Sequence, residues 1–456
     1  MFRRVAVANR GTIAARLVRA ISGMGLESLA LCSEADRDNP YVGLATDYRV
    51  IGPASPKESY LDHHRVIKAA LEAGCDALHP GYGFLAEDAV FAQKCVDSGI
   101  AFIGPSPKWL AVMGDKVKAR DAMGSMGLPL TPSTGILQGD PASMAEEARS
   151  LGFPLLIKPA GGGGGIGMVP VLEEGKLLSS LEAAASQAQR GFGKAELYAE
   201  RYLPNPRHVE FQVISDGKDA IHLYDRDCST QRRRQKVVEE ARAPGIGEGD
   251  LLSMAQKASS ILASLGYDSL GTVETLYGAA MGFGFLEVNP RLQVEHAVTE
   301  ELTGVDLVRT QIRLAMGAKV PELFPEGPPP PKGHAVEARV YAEDPKRFLP
   351  SPGPLKVFRP PEGEGIRVET GFQEGGAVTP FYDPMVAQVI DWGEDRPQAL
   401  ERLEKALGSF RVEGIKTNIP FVRALLRHSP FLEGFVHTGM SDELVRDPSY
   451  DPPLGP

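Results

Sequence analysis

Two short segments carry oxygen-bearing side chains in a pattern that suits a hard cation. In the segment 284–291, polar and apolar residues alternate, so Glu287 and Asn289 share one face of a predicted strand. Glu274 ends a second predicted strand, and the short connection over 278–284 predicts that the two strands pair antiparallel. Magnesium with a nucleotide suits these ligands, because Mg²⁺ takes one or two carboxylates and fills its other sites with water and phosphate oxygens. The alternative is an ordinary hairpin with exposed acids.

Charged and polar side chains follow directly after this strand and suggest anion binding next to a base. A guanidinium, an amide, a carboxylate and an imidazole are combined in the run Arg291-Leu292-Gln293-Val294-Glu295-His296. A second cluster, residues 231–236, is basic within an acidic protein and suggests a site for a small anion or for phosphates. The alternative for this second cluster is a solvated charge run.

Five consecutive glycines, Gly161 to Gly165, follow an apolar strand and Lys158. Without Cβ atoms, such a backbone can approach an anion closely and turn its N–H groups toward it, while the lysine supplies charge. The pattern indicates a phosphate-binding loop, with a flexible linker as the alternative. The motif GxxxxGK[ST] does not occur, which excludes the P-loop architecture, and the first strand–turn–helix unit lacks the GxGxxG fingerprint of dinucleotide-binding folds.

The elements that must position these residues begin with alternating strands and helices. An apolar strand from residue 4, a turn and a helical pattern predict βαβ units on a parallel sheet over the first hundred residues. The composition changes near residue 112, and the segment from about 132 to 203 has borders that suggest a small inserted subdomain. Four consecutive prolines at 328–331 favour a stiff, extended boundary, and the proline-rich end from residue 447 predicts a loose tail.

Composition and charge narrow the class of protein further. The chain has 456 residues, 43% of them hydrophobic, which fits about two to four compact domains. The net charge of −10 argues against a general binder of nucleic acid or anionic membranes, because such binders need basic surface. Four cysteines without a CxxC pair, no basic-then-apolar leader and no long apolar run make zinc binding, secretion and membrane insertion unexpected. A cytoplasmic protein is therefore the expectation.

Several long motifs, in the right order, resemble those of the biotin carboxylase family. The first of them are HPGYGFL at 79–85, MGDK at 113–116, KPAGGGGGIGM at 158–168, RHVE at 207–210, QKVVEE at 235–240 and EVNPRLQVEH at 287–296. Further motifs are GHAVEAR at 333–339, FLPSPG at 348–353 and GIKTN at 414–418. The match runs from residue 4 to about residue 445, which is far more specific than a single glycine loop.

The resemblance implies a three-part ATP-grasp architecture that combines α/β and α+β folds. Residues 1–112 are expected to form a pre-ATP-grasp domain with a parallel sheet. Residues 113–332 are expected to form the ATP-grasp domain, including a mobile lid at about 132–203. Residues 333–445 are expected to form the C-terminal biotin carboxylase domain, which completes the active site, and residues 446–456 a flexible tail.

The family reaction uses ATP to activate bicarbonate as carboxyphosphate and then transfers the carboxyl group to N1 of biotin. Carried over motif by motif, the resemblance implies ATP contacts at Lys116, Lys158, Gly164, Gly165, Glu200, Leu203, His208, Arg234, Glu274 and Glu287. It implies ligands for magnesium, with manganese as a substitute, at Glu274, Glu287 and Asn289. It implies bicarbonate contacts at Lys236, Arg291, Gln293 and Val294. The implied catalytic residues are Arg291, Lys236, Glu295 as the base for bicarbonate, and Arg339 as the group that holds the biotin enolate.

The chain departs from the family pattern at several positions. Ile166 stands where arginine is usual, Arg234 where histidine is usual, and Ala297 where proline is usual. Ala387-Gln388 replaces a usual Gly-Lys pair. None of these changes removes a residue assigned to magnesium, bicarbonate or biotin, so they are expected to affect turnover and nucleotide affinity rather than the type of reaction.

The resemblance also implies partners. No Met-Lys-Met motif occurs in the chain, so biotin is expected on a separate carrier protein, with carboxyltransferase subunits on other chains. A homodimer within an acetyl-CoA carboxylase or a related acyl-CoA carboxylase is expected, and acetyl-CoA, propionyl-CoA and pyruvate are all compatible acceptors. The alternatives are another ATP-grasp ligase that couples a carboxylate to an amine, and a nucleotide-binding homologue without catalytic activity.

Overall fold

The structure is a computed structural model that describes residues 2–159, 167–192 and 196–450. Its N-terminal part is a parallel sheet built from β1 Arg4–Val7, β2 Glu27–Cys32, β3 Asp47–Val50, β4 Ala77–His79 and β5 Ala101–Phe102. The order of the strands is β3-β2-β1-β4-β5. The helices of this part are α1 Gly11–Ser22, α2 Pro40–Leu44, α3 His63–Glu72, α4 Ala89–Asp97 and α5 Pro107–Met113. The central strand β1 is almost fully buried, as in a parallel sheet covered on both faces, which confirms the predicted βαβ arrangement.

A small lobe with its own core interrupts the following segment. After α6 Lys116–Ser125, the lobe consists of α7 Pro141–Arg149, β6 Leu155–Pro159, β7 Val169–Val171, α8 Leu177–Phe192 and β8 Leu197–Arg201. Its strands pair antiparallel in the order β7-β6-β8. Ile157 and Ala199 of the strands share one buried apolar cluster with Leu181 and Ala184 of α8. The mobility of this lobe and its limits at 132–203 stay predictions.

A large antiparallel sheet contains most of the strands in the rest of the chain. The remaining strands are β9 Arg207–Ser215, β10 Ala220–Arg232, β11 Gln235–Ala241, β12 Leu270–Gly278, β13 Gly282–Asn289, β14 His334–Tyr341, β15 Gly353–Pro354, β16 Val357–Arg359, β17 Ile366–Thr370, β18 Ala377–Val378, β19 Met385–Gly393 and β20 Arg411–Glu413. The large sheet has the order β13-β12-β9-β10-β11-β14-β19-β17, while β15 pairs with β18 and β16 pairs with β20 in two small sheets. Strands β11 and β14 pair with Glu239 opposite Glu337. Because this pairing crosses the boundary predicted at residue 332, the predicted ATP-grasp and C-terminal segments share one sheet.

The hairpin predicted from the alternating polar residues is confirmed. In the antiparallel pair of β12 and β13, Glu274 lies opposite Glu287, and Thr272 lies opposite Asn289. The connection is residues 279–281, which is shorter than expected, because both strands continue past their polar residues. Directly opposite side chains have Cβ atoms about 4.5–5.5 Å apart, so the two glutamates are neighbours on one face.

Helices cover the large sheet and complete the C-terminal part. They are α9 Glu248–Leu265, α10 His296–Thr303, α11 Leu307–Ala315, α12 Val320–Leu323, α13 Arg396–Ser409, α14 Ile419–Leu426, α15 Ser429–Leu432 and α16 Met440–Arg446. Leu400 and Leu403 of α13 share a buried core with Val389 of β19. Across the described ranges, no helix combines the length and the apolar character needed to cross a membrane.

The C-terminal end differs from the predicted tail over its first residues. The hydroxyl of Tyr450 donates a hydrogen bond to the carbonyl of Pro345 at 3.0 Å, and the Tyr450 ring lies edge-on to Phe421. Proline prevents regular secondary structure here but does not prevent packing, and the flexibility of this end stays a prediction. Residues 451–456 of the predicted tail lie outside the described residues.

Candidate active site

The ammonium group of Lys236 lies among three buried carboxylates on the large sheet. Its Nζ donates to Glu210 of β9 at 2.6 Å, to Glu274 of β12 at 2.9 Å and to Glu295, just beyond β13, at 2.6 Å. Burial alone would lower the pKa of Lys236, but the surrounding carboxylates raise it well above its usual value. Lys236 therefore carries a fixed positive charge.

The carboxylate of Glu295 is shared between two cations. Its Oε1 accepts from Lys236, and its Oε2 accepts from Nη2 of Arg339 at 2.9 Å. Nε of Arg339 donates to Glu239 at 2.6 Å, so this guanidinium joins two buried acids. Burial would raise the pKa of Glu295, but Lys236 and Arg339 hold it well below its usual range. Glu295 is therefore ionised, the state in which a carboxylate can accept a proton.

The segment after β13 brings Arg291 and Gln293 to the edge of this cluster. Arg291 donates from Nη1 to the side-chain oxygen of Gln293 at 2.8 Å and from Nη2 to that of Asn289 at 3.2 Å. The amide nitrogen of Gln293 donates to Glu274 at 2.9 Å. Nε of Arg291 also donates to Glu87 of the N-terminal part at 2.5 Å. The structure thus brings together the side chains predicted to bind bicarbonate.

Glu274, Glu287 and Asn289 offer the oxygen donors that a hard cation prefers. Glu287 is 27% exposed and pairs with Nζ of Lys116 at 3.0 Å. Glu274 is buried, and its second oxygen lies 2.9 Å from Nε2 of His208. Burial would lower the pKa of His208, but Glu274 raises it. The two carboxylates are cross-strand neighbours, and each of them faces a cationic side chain. Their oxygen atoms, together with that of Asn289, fit magnesium.

Other residues predicted to contact ATP lie on the small lobe or in a turn. Lys158 of β6 forms an ion pair with Glu200 of β8. Leu203 follows β8 and is partly buried. Arg234 is exposed in the turn between β10 and β11, where its φ of 66° is in the left-handed region. The predicted contacts Gly164 and Gly165 lie outside the described residues. The same is true of Ile166, which stands where arginine is usual in the family.

Sequence reasoning missed the buried ion pair that supports Lys236. Arg226 of β10 is fully buried and donates from Nε to Glu210 at 2.6 Å and from Nη1 to Gln212 and Thr299, both at 2.9 Å. The sequence carries little signal of this pair, because Asp225 and Asp227 flank Arg226 and the stretch resembles a solvated charge run. Arg226 thereby holds Glu210 in position to bind Lys236.

Arg226→Ala is expected to destabilise the fold by about 3–5 kcal/mol, because the buried carboxylate of Glu210 then keeps Lys236 alone, a cation that it shares with Glu274 and Glu295. Urea-induced unfolding followed by circular dichroism would measure this change. Arg149→Ala is the matched control, since Arg149 pairs with Glu146 and Glu174 on the surface, where an ion pair contributes about 0–1 kcal/mol. Equal effects of the two substitutions would contradict the role given to Arg226.

A cavity of about 480 Å³ lies beside Arg339, between the N-terminal and C-terminal parts. Its lining includes Tyr82, Arg291, Val294, Arg339 and Tyr382. The side-chain amide of Asn9 shapes one wall by donating to the carbonyl of Pro80 at 2.6 Å and to that of Tyr82 at 2.7 Å. The sequence assigned no role to Asn9 or Tyr82, although Tyr82 belongs to a motif of the family. The volume suits a small organic ligand.

Family models match consecutive segments of the chain. The model described as "Biotin carboxylase, N-terminal domain" matches residues 1–110. "Carbamoyl-phosphate synthase L chain, ATP binding domain" matches residues 115–323. "Biotin carboxylase C-terminal domain" matches residues 337–443. The three descriptions follow the order of the parallel sheet, the lobe-bearing segment and the C-terminal part.

Similar proteins cover nearly the whole chain. Biotin carboxylase 2 of Bacillus subtilis (strain 168) is 44% identical over 439 residues, which are 96% of this chain and 98% of that protein. A pyruvate carboxylase subunit of Methanothermobacter thermautotrophicus is 42% identical over 448 residues, or 98% of this chain and 91% of that protein. A crystal structure of the biotin carboxylase domain dimer of Hydrogenobacter thermophilus 2-oxoglutarate carboxylase, with MgADP, ADP and bicarbonate, has a TM-score of 0.91 at 38% identity and covers 99% of this chain and 100% of that one. This chain belongs to the biotin carboxylase family of ATP-dependent ligases.

Proposed function

We propose that the chain carboxylates biotin with bicarbonate and ATP, through carboxyphosphate, on a separate carrier protein. The observation that carries this proposal is the ionised Glu295 carboxylate between Lys236 and Arg339. The reaction needs a base for bicarbonate, fixed positive charge near the transferred phosphoryl group, and a donor for an oxyanion on biotin. Side chains of this cluster supply each of these groups, next to a cavity of suitable size.

The proposed roles follow the two chemical steps. Glu295 takes the proton from bicarbonate, whose oxygen then attacks the γ-phosphorus of ATP as ADP leaves. Lys236, Arg291 and Gln293 offer donors whose positions are set before the substrate binds, so little reorganisation is needed as charge moves. The carboxyl carbon then bonds to N1 of biotin as its bond to the phosphate oxygen breaks, the released phosphate takes the N1 proton, and Arg339 stabilises negative charge on the biotin enolate.

Residues of the small lobe, and residues before and after it in the chain, are proposed to bind the nucleotide. The proposed ATP contacts are Lys116, Lys158, Gly164, Gly165, Glu200, Leu203, His208, Arg234, Glu274 and Glu287. Glu274, Glu287 and Asn289 would hold magnesium, or manganese in its place, and the cation when bound neutralises charge on the phosphates. The ion pair with Lys116 keeps the Glu287 carboxylate oriented. The nucleotide phosphates would complete the cation site next to this carboxylate.

Glu287→Gln is expected to lower ATP cleavage by about 10–10²-fold, because it removes one carboxylate charge from the cation site while keeping the shape of the side chain. Since Glu287 is partly exposed, the melting temperature should stay close to that of the wild type. Steady-state ATPase assays across a magnesium titration would measure the effect. Wild-type turnover at saturating magnesium would contradict the metal assignment.

A biotin-dependent ATPase assay with free biotin and labelled bicarbonate tests the proposed function as a whole. We expect ATP cleavage that requires bicarbonate and that produces labelled carboxybiotin. Another kind of ATP-grasp ligase would need a different carboxylate and an amine before it cleaves ATP. A homologue without catalytic activity would bind the nucleotide and leave it intact. Either of these results would replace the proposal.

The proposed assembly is a cytoplasmic homodimer that works with a biotin carboxyl carrier protein and carboxyltransferase subunits. The carboxyltransferase selects the acceptor, and we assign the chain to an acetyl-CoA carboxylase of fatty acid biosynthesis or to a related acyl-CoA carboxylase. Purification of the native complex, with identification of its carboxyltransferase, tests this assignment. A carboxyltransferase for pyruvate would overturn it. Analytical ultracentrifugation of the isolated chain tests the dimer.

A further inference from the structure

Gln388 lies on the same face of the large sheet as Arg339. The two residues are opposite each other in the pair of β14 and β19, and Glu337 is two positions from Arg339 on β14, so the three side chains share one face. The amide nitrogen of Gln388 donates to the carbonyl of Val294 at 2.8 Å and to Oε1 of Glu337 at 2.5 Å. Val294 immediately precedes Glu295. Gln388 therefore links the sheet to the segment that carries Glu295.

Within the described residues, the Val294 carbonyl has one other side-chain contact, and it is local. Nδ1 of His296 lies 3.1 Å from this carbonyl and 2.9 Å from the carbonyl of Gln293. Because His296 belongs to the same turn, its contacts shape the turn without attaching it to another element. Gln388 comes from β19, nearly a hundred positions further along the chain, so its contact sets where the turn lies relative to Arg339.

Gln388 is an uncharged donor next to a cluster of acidic and basic side chains. Glu239 lies opposite Glu337, and Arg339 already binds Glu239 and Glu295. Burial, followed by the charge of Glu239, raises the pKa of Glu337 well above its usual value. Gln388 adds no positive charge beside Arg339, which stays paired with Glu239 and Glu295.

We propose that Gln388 is a positioning residue for Glu295: its amide anchors the Val294 peptide to β14 and so keeps the Glu295 carboxylate between Lys236 and Arg339. This inference rests on the proposed function, because it takes Glu295 to be the base for bicarbonate. In the sequence, Gln388 is a departure from a usual lysine without an evident role. In the structure, the change replaces a charged donor with a neutral one that still reaches both acceptors.

Gln388→Met tests the proposal, because methionine has a similar size and cannot donate a hydrogen bond. We expect kcat to fall about tenfold for both bicarbonate-dependent ATP cleavage and biotin carboxylation, while KM for MgATP stays within about twofold. Gln388→Lys is the rescue variant, since its ammonium can still donate to the Val294 carbonyl, and its kcat should lie within about threefold of the wild-type value. Gln398→Met is the matched control: Gln398 accepts from the backbone N–H of Glu394 at 2.8 Å, away from this cluster.

Unchanged kcat in Gln388→Met, or an equal loss in Gln388→Lys, would overturn the positioning role. A rise in KM for MgATP without a fall in kcat would overturn it as well, because Glu295 does not bind the nucleotide. If Gln388→Met does not fold, Gln388→Asn takes its place with the same expected loss, since the shorter amide cannot span both acceptors. An inactive wild-type protein in the bicarbonate-dependent assay would instead contradict the proposed function.

Discussion

Glu295→Gln is expected to reduce bicarbonate-dependent ATP cleavage and biotin carboxylation together, each by about 10²–10⁴-fold. The amide keeps the size of the side chain but cannot take a proton from bicarbonate, so no carboxyphosphate forms to supply the second step. The fold should persist, because Lys236 and Arg339 each keep another carboxylate partner. The loss is therefore a loss of chemistry rather than of structure.

Single-turnover assays with labelled bicarbonate and free biotin would measure both steps for Glu295→Gln. Glu146→Gln is the matched control, since Glu146 is 79% exposed and pairs with Arg149 on the surface. Its two rates should equal those of the wild type. A loss confined to biotin carboxylation in Glu295→Gln would show that ATP cleavage does not need this carboxylate and would contradict its role as the bicarbonate base.

Arg339→Ala is expected to separate the two half-reactions. Biotin carboxylation should fall by about 10²–10³-fold, because a guanidinium aimed at a developing oxyanion contributes about 3–4 kcal/mol only in the step where that charge appears. Bicarbonate-dependent ATP cleavage should be partly retained, since Glu295 keeps its contact with Lys236 at 2.6 Å. The substitution also removes the contact between Arg339 and the second oxygen of Glu295, so ATP cleavage should fall to some extent as well. The ratio of the two rates therefore tests the prediction.

The two rates must be measured on one preparation of Arg339→Ala. Arg402→Ala serves as the control, because Arg402 of α13 donates to the carbonyl of Trp392 at 2.7 Å and lies in the same part of the chain. The control should leave the ratio of the two rates unchanged. Equal losses of ATP cleavage and biotin carboxylation in Arg339→Ala would mean that Arg339 organises the whole site by holding Glu239 and Glu295.

The strand pair that carries the proposed cation ligands could be predicted from the sequence because each step of the reasoning is local. Alternation puts Glu287 and Asn289 on one face of a strand, and a short connection allows only antiparallel pairing with the strand that carries Glu274. Arg291 and Gln293 follow directly after that strand along the chain, so the sequence also predicts that they lie near its end. The observed pairing of Glu274 with Glu287 follows from these constraints.

The partners of Lys236 could not be predicted in the same way. Glu210 and Glu295 lie 26 and 59 positions from Lys236 along the chain, and periodicity does not say which strands become neighbours. The contact between Arg339 and Glu239 spans 100 positions and depends on the pairing of β11 with β14. A buried charge must have a partner, but the sequence does not identify it.

By itself, the sequence determined the family resemblance, the parallel sheet, the hairpin with its acidic pair and the run from Arg291 to Glu295. These features depend on residue types and on spacings of a few positions, which local backbone geometry converts directly into structure. Only the tertiary structure decided that Lys236 and Arg339 share one carboxylate, and that Gln388 donates to the carbonyl of Val294 just before it. The physical reason is that burial strengthens and selects charge pairs between strands that are remote in the chain, and burial is a property of the packed sheet.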